Sequence, residues 1–548
     1  MPNAMHSRWL VAVATMCGAL LTGGWLLQHG LHRSDNTVVR ARLFDGVLAH
    51  VERDFVDSLP EAELYRKATD GMLKQLGDPY TAVLTPDRMR RFAESTAGRY
   101  AGLGIQIDVR DGWITVVTPL PGTPAERAGI QAGDRIVGIN EQSTSGWSPD
   151  EAQDALRGPA GSSVTLAVER PGVAAKLSFR LERADIHVAS VRHSTMLNDG
   201  VGYVQLTIFS EASAAEIRTA VTALRRRGMR TLLLDLRENP GGLLEQGVAV
   251  SDLFLDPGDR VVTMRGRDAA STRDFADNTT QLWPDLRVIA LVDGHTASAA
   301  EIVAGALQDH DRALILGATT FGKGSAQSIF TLHDSAGALK MTTAHWFTPS
   351  GRSIQRAAVS TADGDEGLDT PDDSAAEAPL SHRHEFHTDA GRVVYGGGGI
   401  TPDLLVTSAA RDQALLTFYR HLGADIPRFR DVATDYALDL KASHAVTKPD
   451  FTITPAMRAE FARRLARRGV KTSVAQLDSS TAAVDRLLAR EIARYVFGPD
   501  AEFQRELRDD RVIESALQLT AGAATQRELL ARAASRRAEK QEDLPPPS

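Results

Sequence analysis

Cysteine is nearly absent from this chain of 548 residues, which contains only Cys17. A single cysteine excludes an intrachain disulfide, a zinc site built from several thiolates, and a cysteine nucleophile in the folded part of the chain. An excess of basic residues is also lacking, since the formal net charge is −8. Because phosphate backbones are bound through a basic field, we expect no nucleic-acid partner.

Charge is missing from one stretch at the N-terminus, where residues 9–28 follow Arg8. An apolar segment of about 20 residues can cross a bilayer, whereas the hydrophobic part of a cleavable signal usually has about 7 to 15 residues. No small-x-small cleavage site clearly follows this run. The pattern predicts an N-terminal membrane anchor or signal within residues 1–35, and it favours an uncleaved anchor over a removed signal.

The rest of the chain divides into regions of different periodicity. Its length predicts several domains, and its composition, 43% hydrophobic and 24% charged, is typical of ordered globular proteins. Helical spacing marks residues 36–97 and 409–540, strand-like alternation marks 98–184, and strands alternate with helices in 185–408. A polar stretch at about 357–390 is expected to be a surface insertion. The predicted fold class is multidomain α+β, with a helical N-terminal segment, a β-rich domain, an α/β core and a helical C-terminal region.

A serine stands where a predicted strand meets a predicted helix, in residues 293–301 (DGHTASAAE). Ser298 would begin this helix, beside backbone N–H groups without intrahelical partners and at the positive end of the helix dipole. An oxyanion can be stabilised there, so the position suits a nucleophile. The alternative is that Ser298 only caps the helix, and this segment alone does not decide between the two.

A lysine between two glycines follows the next predicted strand, in residues 320–327 (TFGKGSAQ). Glycines permit a close approach of the backbone. A lysine walled in by apolar residues has a lowered pKa, and its neutral amine can take the proton of a serine hydroxyl. The alternatives are a glycine-rich phosphate loop and an exposed turn. The spacing differs from that of a Walker A motif, so ATP binding is only weakly supported.

Taken together, these segments resemble the C-terminal processing peptidases with a PDZ domain, also called tail-specific proteases. The resemblance rests on residues 234–244 (LDLRENPGGLL), 297–309 (ASAAEIVAGALQD), 321–327 (FGKGSAQ), 347–355 (FTPSGRSIQ) and 394–403 (VYGGGGITPD). It extends over most of residues 44–406. It implies a PDZ domain at 98–184 and a crotonase/ClpP-like α/β peptidase core at 185–408.

The resemblance also implies roles for single residues. Ser298 would attack the scissile carbonyl, Lys323 would accept and later return the proton, and Gln327 would orient the lysine from the same turn or helix face. No metal or other cofactor is implied. Ala326 stands where the family usually has a larger apolar residue, a departure that puts little in doubt.

The implied oxyanion hole consists of two backbone N–H groups. One belongs to Ala299, directly after the serine, and the other to Gly241 or Gly242, which the sequence does not separate. A serine–histidine mechanism stays open through His295, with Asp293 as the nearby carboxylate to orient it. Three histidines in or beside the polar insertion lack further ligands at zinc spacing and are interpreted as solvated loop residues. They are His382, His384 and His387.

In the PDZ domain, the resemblance implies that a loop binds a terminal carboxylate through successive backbone N–H groups. This loop consists of Gly102, Leu103, Gly104 and Ile105. The last residues of the peptide would add as a strand to the sheet edge, while apolar side chains enter a pocket beside Leu103 and Ile105. The expected partners are protein or peptide substrates with free C-termini. The alternative is an inert β-domain.

The leading interpretation is a membrane-anchored serine endopeptidase of the bacterial cell envelope, with its catalytic part in the periplasm or extracytoplasmic space. One alternative is a catalytically silent scaffold that binds protein C-termini, but the intact Ser298, Lys323 and Gln327 argue against it. Another is a crotonase-like enzyme acting on thioesters, which leaves the PDZ-like region unexplained. Arginines near Phe461 favour a solvated helix face, while a surface for an adaptor or a second copy stays open.

Overall fold

The structure is a computed structural model that describes residues 38–332, 337–356, 383–406, 409–470 and 481–542. The predicted anchor at residues 1–35 and most of the polar insertion lie outside the described residues. In the described part of the chain, no helix combines the length and the apolar character needed to cross a bilayer. The chain divides into two compact units, one with residues up to 86 and 327–342, the other with residues 87–326 and 343 onwards.

The first unit contains much of the helical N-terminal segment. Its elements are the helices 38–54 and Glu61–Lys74 and the strand Ala82–Leu84. This strand pairs antiparallel with residues 338–340. The apolar spacing predicts a buried face, and Leu48, Leu64 and Leu73 are indeed buried, but Leu43 is exposed. The helices are therefore only partly covered by their own unit.

The PDZ-like region lies in the second unit and forms an antiparallel sheet with a helix against it. In sheet order its strands are Ile105–Arg110, Trp113–Pro119, Arg135–Ile139, Ser163–Glu169 and Leu177–Glu182, and Gln142–Ser143 pairs with Arg135–Ile139. The helix Pro149–Leu156 begins after Ser148, where Ser148 and Glu151 exchange hydrogen bonds between side chain and backbone. Alternate strand residues such as Ile114 and Leu166 fill one core, which explains the alternating sequence pattern.

The α/β core of the second unit is built on a six-stranded sheet. In sheet order the strands are Val191–Asn198, Val201–Leu206, Thr231–Asp235, Arg287–Val292, Leu314–Gly317 and Leu404–Leu405. The first pair is antiparallel and the others are parallel. The predicted alternation of strands and helices is confirmed, and the strand predicted to precede the helix at Ser298 is Arg287–Val292. Such strands are almost uniformly apolar because both faces of the sheet are covered.

Helices cover the two faces of this sheet from different parts of the chain. One face packs against Ser213–Arg226, Leu244–Ser251 and Ala299–Asp309. The other face packs against Arg511–Thr520 and Gln526–Glu542, where Ile513 and Leu529 join the strand residue Ile289 in one apolar cluster. Part of the predicted helical C-terminal region therefore completes the peptidase core.

Other helices of the C-terminal region build a core of their own. They are Ala409–Leu422, Ile426–Ala442, Pro455–Arg467 and Thr481–Phe497. Phe429, Phe461 and Leu488 lie at the centre of this core. The next helix, Pro499–Asp509, instead contributes Phe503 to the apolar cluster on the six-stranded sheet. Further strands of the second unit are Arg99–Gly102 with Ala184–His187, Arg260–Gly266 with Arg273–Ala276 and residues 343–347, and Glu385–His387 with Val393–Tyr395.

Candidate active site

Ser298 lies at the turn between the strand Arg287–Val292 and the helix Ala299–Asp309, which we call the serine helix. Its φ of 54° and ψ of −116° lie outside the regions that residues with a side chain normally adopt. An ordinary N-cap residue is extended, so capping alone does not require this conformation. A strained turn from a buried strand into a helix is how α/β-hydrolases expose a nucleophile.

Glu301 joins the serine turn to the loop that carries Lys323. This carboxylate is fully buried in the first turn of the serine helix. Its Oε2 accepts hydrogen bonds from the N–H groups of Ser298 at 2.8 Å and Lys323 at 2.9 Å. Its Oε1 accepts from the N–H of Gly322 at 2.7 Å and from the hydroxyl of Thr320 at 2.5 Å. Two segments that are separate in sequence therefore meet around one carboxylate.

The environment of Glu301 suits an ionised side chain. Complete burial raises the pKa of Glu301 above its ordinary value, while the hydrogen bonds from Thr320 and from three N–H groups oppose that rise. All four partners are donors, which is what a carboxylate without its proton needs. Sequence reasoning misses this residue, because a glutamate three positions after a helix-starting serine is also an ordinary capping pattern.

The loop around Lys323 is packed too closely for side chains at its flanking glycines. A Cβ on Gly322 would lie 3.0 Å from the amide nitrogen of Gly399. The carbonyl oxygen of Lys323 accepts a hydrogen bond from the indole Nε1 of Trp346 at 3.0 Å. The sequence suggests that these glycines permit a close approach of the backbone, and the structure has this close approach.

Gln327 lies in the strand Ser325–Thr331, so the expectation that it shares a turn or helix face with Lys323 is wrong. It belongs to the first unit, where its side-chain amide donates a hydrogen bond to the hydroxyl of Thr342 at 3.2 Å. Its role in orienting the lysine stays a prediction.

The glycine turn, residues 239–242, approaches the serine turn closely. A Cβ on Gly241 would lie 2.8 Å from the Cβ of Ser298 and 2.9 Å from the amide nitrogen of Ala299. Asn239 is fully buried and holds the turn, because its Nδ2 donates to the carbonyl oxygen of Leu206 at 2.7 Å. Its Oδ1 accepts from the N–H of Gly241 at 2.8 Å.

This arrangement separates the two candidate glycines of the oxyanion hole. The N–H of Gly241 is engaged by Asn239, and Gly241 is buried. Gly242 is exposed, and among the described residues no acceptor takes its N–H or that of Ala299. A pair of free N–H groups beside a serine can stabilise an oxyanion. The geometry therefore favours Ala299 and Gly242 as donors.

His295 is paired differently from the serine–histidine alternative. Its Nδ1 lies 3.2 Å from a carboxylate oxygen of Glu238. Asp293 instead accepts hydrogen bonds from the backbone N–H groups of His295 and Thr296. The geometry thus does not support Asp293 as the group that orients this imidazole.

Each of Glu238, Asp293 and His295 offers one possible ligand atom, and these atoms lie within 4.8 Å of one another. Among the described residues this group has the spacing of a metal site. The ion pair of Glu238 with His295 and the backbone hydrogen bonds to Asp293 account for the cluster without a metal. Of the insertion histidines, His382 lies outside the described residues. His384 precedes the strand Glu385–His387 and His387 ends it, and neither belongs to that cluster.

A groove of about 270 Å³ lies at the loop predicted to bind a carboxylate. All four predicted residues line it, namely Gly102, Leu103, Gly104 and Ile105. The strand Ile105–Arg110 is the edge of its sheet, and residues of the helix Pro149–Leu156 line the groove with it. Gly104 has a φ of 73°, and a Cβ there would lie 2.3 Å from the Thr123 side chain. An open sheet edge beside a helix can accept a peptide as an added strand.

Comparisons with known proteins agree with this architecture. The profile of Peptidase family S41 matches residues 200–361, and that of the PDZ domain matches residues 115–170. A carboxy-terminal-processing protease of Bartonella bacilliformis is 36% identical over 358 residues, which are 65% of this chain and 79% of that protein. The carboxy-terminal processing protease CtpA of Bacillus subtilis is 33% identical over 309 residues, 56% of this chain and 65% of that protein.

A solved photosystem II D1 C-terminal processing protease shares 32% identity over 57% of this chain and 83% of its own, with a TM-score of 0.34. The S41 match contains both Ser298 and Lys323, and the PDZ match contains three of the five long strands of the PDZ sheet in whole or in part. The chain therefore belongs to peptidase family S41, as a serine-type carboxy-terminal processing protease with a PDZ domain.

Proposed function

We propose that the chain is an endopeptidase with a serine–lysine acyl-enzyme mechanism. Ser298 attacks the scissile carbonyl carbon, and Lys323 takes the hydroxyl proton and returns it to the leaving amine. Water then hydrolyses the acyl-enzyme. The N–H groups of Ala299 and Gly242 stabilise the oxyanion. The observation that carries this proposal is the convergence of the Ser298 and Lys323 N–H groups on one oxygen of Glu301.

Gln327 is assigned the orienting role on the family resemblance. The substrate we infer is a protein with an unstructured, apolar C-terminal tail. Its terminal carboxylate binds the N–H groups of the loop 102–105, and its last residues add to the edge strand Ile105–Arg110. The groove at that edge supports this role, as does the similarity to carboxy-terminal processing proteases. Cleavage then falls upstream of the captured tail.

The test is turnover of an unfolded reporter with an apolar C-terminal tail by the purified full-length chain. We expect Ser298→Ala and Lys323→Ala to abolish cleavage, while His295→Ala retains it. Trapping should place the acyl group on the peptide that contains Ser298. Amidation of the reporter's C-terminus should raise KM strongly. Binding of the tail without any cleavage by wild type would support the scaffold instead, and cleavage by Lys323→Ala would contradict the lysine base.

We also propose that residues 9–28 anchor the enzyme in the membrane of a bacterial cell envelope, with the catalytic part outside the cytoplasm. The support is the uncharged run after Arg8. Deletion of residues 9–28 should move the chain from the membrane fraction to the soluble fraction. Retention of the deleted chain in membranes would refute the anchor.

A further inference from the structure

A cleft separate from the PDZ groove lies between the PDZ sheet and the C-terminal region. Its volume is about 890 Å³. One wall comes from PDZ strands and the turn after Ser163–Glu169, and the other from the helices Ile426–Ala442 and Pro455–Arg467. Both walls belong to the second unit. Pockets of this size between domains are typical binding sites.

The two walls of this cleft are in direct contact. A Cβ on Gly133 of the PDZ wall would lie 2.3 Å from the side chain of Leu438 on the helical wall. The ammonium of Lys441 donates to the carbonyl oxygen of Ala132 at 3.3 Å. The cleft is therefore a defined cavity with a packed edge.

Positive charge is in excess in the cleft. Seven arginine and lysine side chains line it, against three aspartate and glutamate side chains. This local surplus of cations is opposite in sign to the net charge of the whole chain, which is −8. This surplus favours a ligand with negative charge.

Several of these cations already have partners, but not all of them. Arg464 pairs with Asp439 of its own wall. Arg468 lies 2.9 Å from Asp435 of its own wall and 3.2 Å from Asp111 of the PDZ domain. Arg135 and Arg467 have no ion-pair partner among the described residues. Such cations can bind an anion without giving up an internal ion pair.

Arg110 adds a buried and incompletely satisfied donor. It is only 6% exposed, and its Nε has no hydrogen-bond partner among the described residues. Its Nη2 lies 3.2 Å from Asp108. A buried donor left without an acceptor is costly, so an anionic acceptor at this wall would be favoured.

We propose that the cleft binds an extended, carboxylate-rich peptide segment of a protein partner. The lining also includes Val173, Val432 and Leu438, which suit the aliphatic parts of peptide side chains. This apolar part of the lining favours a peptide over a bare row of phosphates. The role goes beyond the proposed peptidase function, because the tail groove lies elsewhere in the PDZ domain. Arg110 ends the strand Ile105–Arg110 that begins at that groove, so the cleft ligand also holds this strand.

The test uses the full-length chain with Ser298→Ala, so that no peptide is cleaved. The probe is a fluorescein-labelled peptide of six glutamates with an amidated C-terminus, which the carboxylate loop cannot capture. We expect saturable one-to-one binding by fluorescence anisotropy that weakens as salt rises. The double variant Arg135→Gln/Arg467→Gln should weaken binding about tenfold or more, a loss of about 1.4 kcal/mol.

The matched control is Arg226→Gln/Arg227→Gln, which removes two exposed arginines of the helix Ser213–Arg226 and its C-terminal end. Binding should be unchanged in the control, and both variants should keep the melting temperature of the parent chain. Arg467→Gln alone changes an exposed helix position, where the fold should be unaffected. It should cause an intermediate loss of peptide binding. Equal loss in the control pair, no loss in the cleft pair, or equal displacement by tripolyphosphate or an oligonucleotide would each overturn the proposal.

Discussion

Two regions of the peptidase core treat a buried carboxylate in opposite ways. Glu301 accepts four hydrogen bonds and joins the loops of Ser298 and Lys323. Asp252 and Asp277 each have a buried carboxylate oxygen without a hydrogen-bond partner among the described residues. Burial and the charge of Asp277 raise the pKa of Asp252 to about 7. The comparison shows that Glu301 has donors that stabilise its ionised form, whereas burial of Asp252 without such donors at its inner oxygen favours its protonated form.

Glu301→Gln should give the largest loss of stability and activity, because it removes the charge of the carboxylate that accepts four hydrogen bonds. An amide offers one oxygen to four donors and directs its own N–H groups at the others. We expect the free energy of unfolding to fall by about 2–4 kcal/mol. Displacement of both loops should lower kcat about 100-fold. Reporter cleavage and urea unfolding measure the two effects.

Glu245→Gln is the control for this change, since Glu245 is an exposed residue of the neighbouring helix Leu244–Ser251. It should leave both quantities unchanged. A Glu301→Gln enzyme with wild-type kcat would show that the shared carboxylate does not position the reacting loops.

Asp252→Asn should raise the free energy of unfolding, by less than Glu301→Gln lowers it and only at higher pH. The folded pKa of about 7 lies above the ordinary value of 3.8. Between these two values the folded state keeps a proton that the unfolded chain has lost. The stability that Asp252 contributes is therefore full below about pH 4 and is lost as the pH rises through about 7. Asparagine cannot ionise. Because Asp252 is only half-buried, solvent screening limits the gain to about 1 kcal/mol at pH 8.

Urea unfolding at pH 4 and pH 8 measures this prediction. The two proteins should have similar stability at pH 4, and the variant should be the more stable at pH 8. Asp256→Asn is the control, because Asp256 is an exposed residue in the following turn. A gain of the same size at both pH values would mean that Asp252 does not titrate as described.

The sequence predicts the parts of this molecule that depend on local pattern. The strand Arg287–Val292 is an unbroken apolar run before a helix start, and the glycines around Lys323 mark a close backbone approach. The choice between Gly241 and Gly242 depends on the hydrogen bond that the N–H of Gly241 donates to Asn239, which no spacing reveals.

The error at Gln327 has a similar origin. The segment Ser325–Thr331 is short and mixed in polarity, and such a run does not distinguish a strand from a turn or helix. Nor does an amphipathic pattern say which surface a helix will cover. The packing of Arg511–Thr520 on the peptidase sheet is therefore visible only in three dimensions.

A third carboxylate extends the comparison to the C-terminal region. Asp510 begins the helix Arg511–Thr520, where its Oδ1 accepts from the N–H groups of Val512 and Ile513. Its Oδ2 lies 2.7 Å from a guanidinium nitrogen of Arg237. Arg237 stands two residues before Asn239 of the glycine turn. Asp510→Asn keeps the cap and removes only the ion pair.

Because Arg237 is also held by the buried Asp235 at 2.6 Å, we expect a small effect from Asp510→Asn, a fall of about threefold in kcat with KM unchanged. A purely structural role would lower the unfolding free energy and leave kcat alone, so the split between kcat and stability decides the question. Asp500→Asn, an exposed acid in the first turn of the preceding helix, should change neither. If Asp510→Asn does lower kcat, a carboxylate outside the family's core controls the turn that carries Gly242.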